Sequence, residues 1–341
     1  MNDTLIAVDL AKTVFEIAVS RAPGRVCERK RLSRSRFLGF FATRPPSTVV
    51  MEACGSAHFW ARKLKACGHD VALLPPSHGR PYIRRNKTDR TDAKGILEAF
   101  RNEEIRRVPV KSVHQHTLAA LHRVRSAWMA ARTARINTMR GVLRELGFVI
   151  PEGATRVVPA VRLLIADADA EIPDALRPTL EEMCLEIRDL ERRCGEVERQ
   201  LKVLAKGLPI VKRLMEIPGI GLLTATALVA FVGNVQRFPS GRHFASYIGL
   251  TPHERSSGLR RRLGAISKRG DTYIRTLLVH GARAALLAGK RVQQPDRLRS
   301  WALEVEQRRG HNKAAVALAY KLARTAWVVW KKGVRFQAIA V

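Results

Sequence analysis

Cysteine is scarce and scattered in this chain. The five thiols, Cys27, Cys54, Cys67, Cys184 and Cys194, are odd in number and show no CxxC spacing. That argues against a disulfide framework or a zinc site and fits a reducing compartment. Long apolar runs are also missing. The longest, IGLLTATALVAFVG, is too short to span a bilayer and is interrupted by threonines. The opening MNDTLIAVDL has no basic stretch ahead of an apolar one, so no secretory leader is expected. No GxxxxGK[ST] phosphate loop occurs, which leaves ATP-driven chemistry without support. Negative charge is in short supply: 30 acids face 61 lysines and arginines, a formal charge of +31. Hydrophobic residues make up 46% of the chain, so this is a folded protein and not a disordered basic tail. A polyanionic partner is expected, because Lys and Arg gain affinity by releasing counterions from phosphates. Nucleic acid is preferred over the other options, a basic secreted protein or a membrane-surface binder.

The 341 residues suggest more than one domain. Residues 1–110 read as α/β. LIAVDL and VFEIAV are strands joined as a hairpin, STVVMEACG is a third strand ending at Glu52, and HDVALLPP is a fourth. AHFWARKLKACG is an amphipathic helix stopped by Gly68. After a basic linker, SHGRPYIRRNK, a helix starts near Thr88 and carries Ala93, Ile96, Leu97 and Phe100 on one face. Strands alternating with helices imply a sheet covered by helices. Residues 111–205 read as a helical arm. Its second half spaces Met183, Ile187, Leu190, Cys194, Val197, Leu201 and Leu204 at the 3.5-residue period of a coiled coil, either a hairpin within one chain or a dimer contact. Its first half carries Arg123, Arg125, Arg132, Arg135, Arg140 and Arg144, cations of one sign that favour a nucleic-acid face. Prolines and glycines around 151–175 mark a turn or link. Residues 206–341 read as an α-rich domain, with a Gly/Ser/Arg-rich loop before a helix starting near Asp271.

Acids stand out against this basic background. Asp9 lies inside LIAVDL, and Glu52 ends STVVME. Asp89 and Asp92 in NKTDRTDAKG are three apart and share a helix face. A buried carboxylate is costly unless it is paired or bound to a metal. Four acids from two strands and one helix are expected to converge at one end of the sheet. Such hard oxygen ligands suit Mg2+ or Mn2+. Two ions about 3.5–4 Å apart would activate a nucleophile and stabilise the leaving oxygen of a phosphodiester. The plainer reading is that Asp89 favours the helix dipole and Asp92 pairs with Arg85 or Arg90.

The order Asp9, Glu52, NKTDRTDA resembles the DEDD set of RuvC-type nucleases, which have a ribonuclease H-like fold. VDLAK, MEACGSAHFWARKL, RNKTDRTDA and IPGIG…FPSGRHFASYIGLTP…SSG…ISKRG together resemble the DEDD transposases of bacterial insertion sequences. The family is the one numbered 110, and MEACGSAHFWARKL is similar to its 1111 subgroup. Nearly the whole chain is covered. One departure is that Arg90 and Thr91 stand between the aspartates, where small residues are common. The resemblance implies a RuvC-like catalytic domain over 1–110, a coiled-coil arm over 111–205 and a C-terminal transposase domain over 206–341. It also implies a recombinase guided by a noncoding bridge RNA that pairs with donor and target DNA. In that scheme a serine attacks the DNA backbone and forms a covalent intermediate, while Asp9, Glu52, Asp89 and Asp92 of a partner protomer hold the metal. The matching loop is TPHERSSG. Ser257 stands at the family position, and Ser256 is the alternative.

Read from the residues alone, SSG is a polar turn with a weak nucleophile that needs activation. Arg260, Arg261, Arg262, Lys268 and Arg269 follow it and are placed to hold phosphates. Arg84, Arg85 and Lys87 are expected to do the same beside the acids. His253 is a candidate base, and Trp128 is either a base-stacking or a core residue. Tyr247 reads as core-facing or structural, and IPGIG as either a phosphate-contacting hairpin or a tight helix turn. A cytoplasmic, nucleoid-associated enzyme is expected, a dimer assembling to a tetramer on DNA. The competing readings are a metal-dependent, junction-resolving endonuclease without a covalent intermediate and a non-catalytic binder.

Overall fold

The computed structural model describes residues 4–76, 82, 89–258 and 260–337. The chain divides into two compact units, residues 1–114 and 115–341.

The first unit is built on a five-stranded sheet. Its strands are β1 (Leu5–Leu10), β2 (Val14–Ser20), β3 (Glu28–Ser33), β4 (Thr48–Glu52) and β5 (Asp70–Leu74), in the order β3-β2-β1-β4-β5. β1, β2 and β3 pair antiparallel, while β4 and β5 run parallel to β1. Alternation along the strands sorts side chains to two faces. Ile6, Val8, Phe15, Ile17, Val49 and Met51 meet Phe37 and Phe41 of α1 (Phe37–Ala42) and Trp60 and Leu64 of α2 (Ala57–Ala66). Leu5, Ala7, Ala18 and Val50 face the other way, against Ala93, Ile96 and Leu97 of α3 (Asp89–Arg101). The structure corrects the strand count. Glu52 ends the fourth strand, because ERKRLS forms β3. That segment is a sheet edge held by backbone pairing to β2, and its charged composition carries no apolar alternation.

Among its described residues the second unit is helical, apart from one short hairpin. α4 (Val113–Glu145), which starts at the boundary, runs out and α6 (Arg177–Lys206) runs back. Ile136, Met139 and Leu143 of α4 pack with Leu180, Cys184 and Ile187 of α6. Val157 and Val161 of α5 (Ala154–Ala166) join the same cluster. The segment expected to be a turn or link therefore contains a helix, and it carries Pro159 within it. The period-3.5 seam faces helices of its own chain: Ile187, Cys194, Val197 and Leu201 are buried.

At the arm's root, Leu118, Val197 and Leu201 belong to the core of the remaining helices. These are α7 (Pro209–Met215), α8 (Leu222–Val232), α9 (Gly241–Ile248), α10 (Thr272–Gly289), α11 (Arg297–Arg309) and α12 (His311–Lys332). The IPGIG turn joins α7 to α8 and packs tightly on α10. A Cβ on Gly281 would stand 1.9 Å from the carbonyl oxygen of Gly219, whose φ is +91°. Between α9 and α10 lie β6 (Pro252–Glu254) and β7 (Leu263–Ile266), an antiparallel pair. All five cysteines are free. Among the described residues, no helix is long and apolar enough to cross a membrane.

Candidate active site

The parallel register aligns Val8 with Met51, so the next step along places Asp9 beside Glu52 at the C-terminal ends of β1 and β4. Both lie on the face that carries Ala7 and Val50, the face covered by α3. An electrostatic sign agrees with this placement. Burial pushes the Cys54 thiol above its ordinary value, and the negative charges of Glu52 and Asp9 push it the same way. Both carboxylates therefore act on the same thiol.

α3 brings the third acid. It opens at Asp89, and Asp92 precedes Ala93, which is fully buried against the sheet. One carboxylate oxygen of Asp92, Oδ1, is buried from solvent. The side chain of Asp89 lies outside the described residues, as do Arg84, Arg85 and Lys87. Among the described residues, no three histidine, cysteine, aspartate or glutamate side chains close on one point where a metal would sit. The donor chemistry itself fits a hard divalent cation, since Asp9, Glu52 and Asp92 offer only carboxylate oxygens.

One acid escaped the sequence reading. Glu16 in β2 stands directly opposite Asp9, on the α3 face, with Arg31 of β3 on its other side. The charged row across the sheet therefore runs Arg31, Glu16, Asp9, Glu52. The signal was there: VFEIAV places an acid in an apolar strand just as LIAVDL does.

The serine loop of the second unit is the tip of the β6–β7 hairpin. Ser256 is tied down. Its hydroxyl donates to Glu254 Oε1 at 2.7 Å and accepts from the backbone N–H of Arg262 at 3.1 Å. The hydrogen bond from Ser256 is the main cause holding the Glu254 carboxyl below its ordinary range, with Arg261 adding to it. Ser257 pairs with Arg260 through the backbone only. Among the described residues its hydroxyl makes no hydrogen bond, and its side chain is exposed. Arg260 and Arg262 are exposed on the same tip, Arg261 pairs with Glu254 at 3.3 Å, and Lys268 and Arg269 are exposed at the other end of the hairpin, beyond β7. His253 is half-buried on β6, one residue before Glu254.

The arm arginines divide into two groups. Arg123 is exposed. Arg125 meets Glu198 at 2.7 Å, Arg132 meets Glu191 at 2.5 Å, and Arg135 meets Glu186 at 3.0 Å, so these three join α4 to α6. Trp128 is half-buried against the helical core, with Arg193 over its ring at 5.9 Å. Tyr247 corrects the core-facing expectation. It is 40% exposed and lies under the guanidinium of Arg237 at 4.5 Å.

A second cationic place was missed by the sequence reading. Ser240, Gly241 and Arg242 at the start of α9, with Lys321, Arg324 and Thr325 of α12, line a pocket of about 430 Å3. Arg242, Lys321 and Arg324 form no ion pair among the described residues. Burial, and then the charges of Arg324 and Arg297, hold Lys321 below its ordinary value.

Two family models match. The DEDD transposase model of the IS110 elements, described as "Transposase", covers residues 6–148, the stretch holding β1, β4 and α3. The model described as "Transposase IS116/IS110/IS902 family" covers residues 211–296, including the serine hairpin. A "Probable family 20 transposase" of Pseudomonas aeruginosa is 41% identical, spanning 96% of this chain and 97% of its own. The chain belongs to the IS116/IS110/IS902 transposase family. The "Transposase for insertion sequence element IS1111A" of Coxiella burnetii is 36% identical over 95% of this chain and 89% of its own. The "Transposase for insertion sequence element IS1328" of Yersinia enterocolitica is 38% identical over 98% and 99%. The transposase is thus an enzyme that cuts and rejoins DNA, and its DEDD type implies a divalent metal ion. α11 and α12 lie beyond both family models.

Proposed function

We propose that the transposase cuts and rejoins DNA by serine attack, with the acids of a ribonuclease H-like first unit holding Mg2+ or Mn2+. The observation that carries this reading is the adjacency of Asp9 and Glu52 at the ends of two parallel strands, on the face where α3 carries Asp92. The strand order β3-β2-β1-β4-β5 supports the fold assignment. Asp9, Glu52, Asp89 and Asp92 hold the divalent ion, which supplies Lewis-acid stabilisation of charge at a phosphodiester.

Ser257 is the nucleophile, since Ser256 is engaged with Glu254 and Arg262. Its Oγ bonds to phosphorus, and one sugar–oxygen bond to that phosphorus breaks. The hydroxyl proton is lost, and the departing sugar oxygen takes one up. One phosphodiester is exchanged for another, and the reverse step with an incoming sugar hydroxyl rejoins DNA without an external energy source. Arg260, Arg261 and Arg262 grip phosphates near Ser257, and Lys268 and Arg269 grip them at the hairpin root. Arg84, Arg85 and Lys87 bind phosphates from the first unit, and Arg123, Arg242 and Arg324 from the second. Arg125 and Arg132 shape the arm that presents it. A noncoding bridge RNA supplies target and donor specificity, and dimers assemble into a tetramer so that two DNA ends are held together.

The test uses purified transposase, Mg2+, labelled duplex DNA and RNA transcribed from the element's flank. A protease-sensitive protein–DNA adduct is expected, lost in Ser257→Ala and in Asp9→Ala. Free cleaved ends without an adduct, surviving Ser257→Ala, would establish a plain metal endonuclease instead.

A further inference from the structure

Arg275 is the fourth residue of α10 and is only 9% exposed, yet among the described residues it forms no ion pair. The nearby Asp271 is turned to the helix end, accepting from the backbone N–H of Ile274 at 3.0 Å. A buried cation without a counter-charge is expensive, so its hydrogen bonds must compensate. The guanidinium donates to the carbonyl of Ile248 at 3.1 Å, the carbonyl of Gly270 at 3.2 Å and the hydroxyl of Thr272 at 3.0 Å.

Those acceptors have a common location. Ile248 ends α9, where the chain turns into β6. Gly270 ends the return from β7 and precedes α10. One nitrogen, Nη1, therefore joins the entry and the exit of the serine hairpin, while Nη2 holds the guanidinium to Thr272. The two backbones cross closely at the same place. A Cβ on Gly270 would stand 2.1 Å from the carbonyl oxygen of Tyr247. A Cβ on Gly249, whose φ is +79°, would stand 2.8 Å from the nitrogens of Arg269 and Gly270. Backbone bonds from Lys268 to Gly249 at 3.1 Å and from Ser267 to Thr251 at 2.8 Å close the crossing, and Lys268 takes a positive φ of 55° to do so. Toward the tip the hairpin is exposed, over residues 254–258 and 260–265.

We infer that Arg275 is a positioning residue that clamps the root of the β6–β7 hairpin and so fixes where Ser257 stands. The inference rests on the reading of Ser257 as nucleophile. An error of about 1 Å at a reacting atom can cost about 100-fold in rate, so a loosened root shows in chemistry before it shows in binding. Lysine cannot reproduce this clamp, because its single ammonium nitrogen cannot stand at the Nη1 and Nη2 positions at once.

The experiment compares Ser257→Ala, Arg275→Lys and Thr272→Val, each with its DNA affinity, its unfolding midpoint and its single-turnover rate of adduct formation. Thr272→Val removes one acceptor at an exposed position and leaves the fold intact. The expected result is a fall of about 10- to 100-fold in adduct rate for Arg275→Lys and a smaller fall for Thr272→Val, with DNA affinity within about threefold of wild type. Backbone amide exchange should rise within residues 249–271 and nowhere else. Loss of the adduct in Ser257→Ala together with wild-type rates in the other two variants overturns the clamp. So does a parallel loss of rate, affinity and stability in Arg275→Lys while Thr272→Val is unaffected, which marks Arg275 as a folding residue only. An adduct that survives Ser257→Ala refutes the nucleophile itself, a separate failure.

Discussion

Acidifying the transposase from pH 7 to pH 4 should weaken its second unit through one buried imidazole. His122 of α4 is fully buried. Its Nε2 lies 3.0 Å from Thr226 Oγ1 of α8, and its Nδ1 lies 3.0 Å from the hydroxyl of Tyr273 of α10. The hydroxyl of Thr226 donates to the carbonyl of Leu222 at 2.7 Å, so it accepts from His122. Nε2 therefore carries the proton, and Nδ1 accepts from Tyr273. The neutral ring is satisfied on both sides, and a second proton would set donor against donor. Burial, with the positive charge of Arg125 nearby, lowers the His122 pKa from 6.5 to about 4. The unfolded chain takes up this proton first. Stability from His122 is complete above pH 6.5, declines as pH falls below that value, and levels off below about pH 4. At about 1.4 kcal/mol per pKa unit, the loss is about 3 kcal/mol at most.

His122→Gln should cost about 1–3 kcal/mol at pH 7, because Tyr273 loses its acceptor. That gap should close as the pH approaches 4, since glutamine does not titrate. Urea unfolding followed by tryptophan fluorescence suits the test, because Trp128, Trp301, Trp327 and Trp330 all lie in the same unit as His122. Carboxylates such as Glu254 and Glu306, held below their ordinary range, weaken both proteins alike and cancel in the comparison. Parallel stability curves for wild type and His122→Gln from pH 7 to pH 4 would refute a neutral, doubly bonded His122.

Neutralising one of two adjacent acids should help the metal-free protein. Two charges about 5 Å apart repel by about 1–3 kcal/mol at effective dielectrics between 80 and 20. In EDTA, Asp9→Asn is therefore expected to unfold at higher urea than wild type, and Mg2+ should stabilise wild type alone; the reverse order in EDTA would disprove the pairing. Arg324→Ala should reduce the slope of log affinity against log salt for duplex DNA by about 0.9, one phosphate contact. Arg192→Ala, whose residue is already engaged by Asp189 at 2.6 Å, should leave the slope unchanged. Gly281→Ala should cost well over 2 kcal/mol in urea unfolding, since its Cβ would collide with the Gly219 carbonyl at 1.9 Å and backbone must shift.

The sheet's interior was legible because β1, β2, β4 and β5 are apolar runs, and Asp9 and Glu52 were legible as acids breaking those runs. β3 was not, since an edge strand of charged residues takes its conformation from its neighbour's backbone. α5 was hidden by Pro159 and the surrounding glycines, though Val157, Val158 and Val161 carry its buried stripe. The β6–β7 hairpin was hidden by its short strands. Charge counting could not separate the arm's arginines, because the glutamates engaging Arg125, Arg132 and Arg135 stand more than 50 residues away in sequence. Nor could it choose between Ser256 and Ser257, which differ in hydrogen bonding and not in type.

The α4–α6 ladder makes the arm a ruler. Arg125 meets Glu198, and seven residues further along α4 Arg132 meets Glu191, seven residues earlier in α6. Adding or deleting seven residues in both helices keeps every rung in register. Changing one helix alone, between the core and Arg125 or Glu198, puts every rung out of register. With 33 residues, α4 measures about 50 Å, and each paired heptad would move the tip by about 10 Å. The reach of the arm can thus be reset by matched changes in length, while the core that holds the serine hairpin stays as it is.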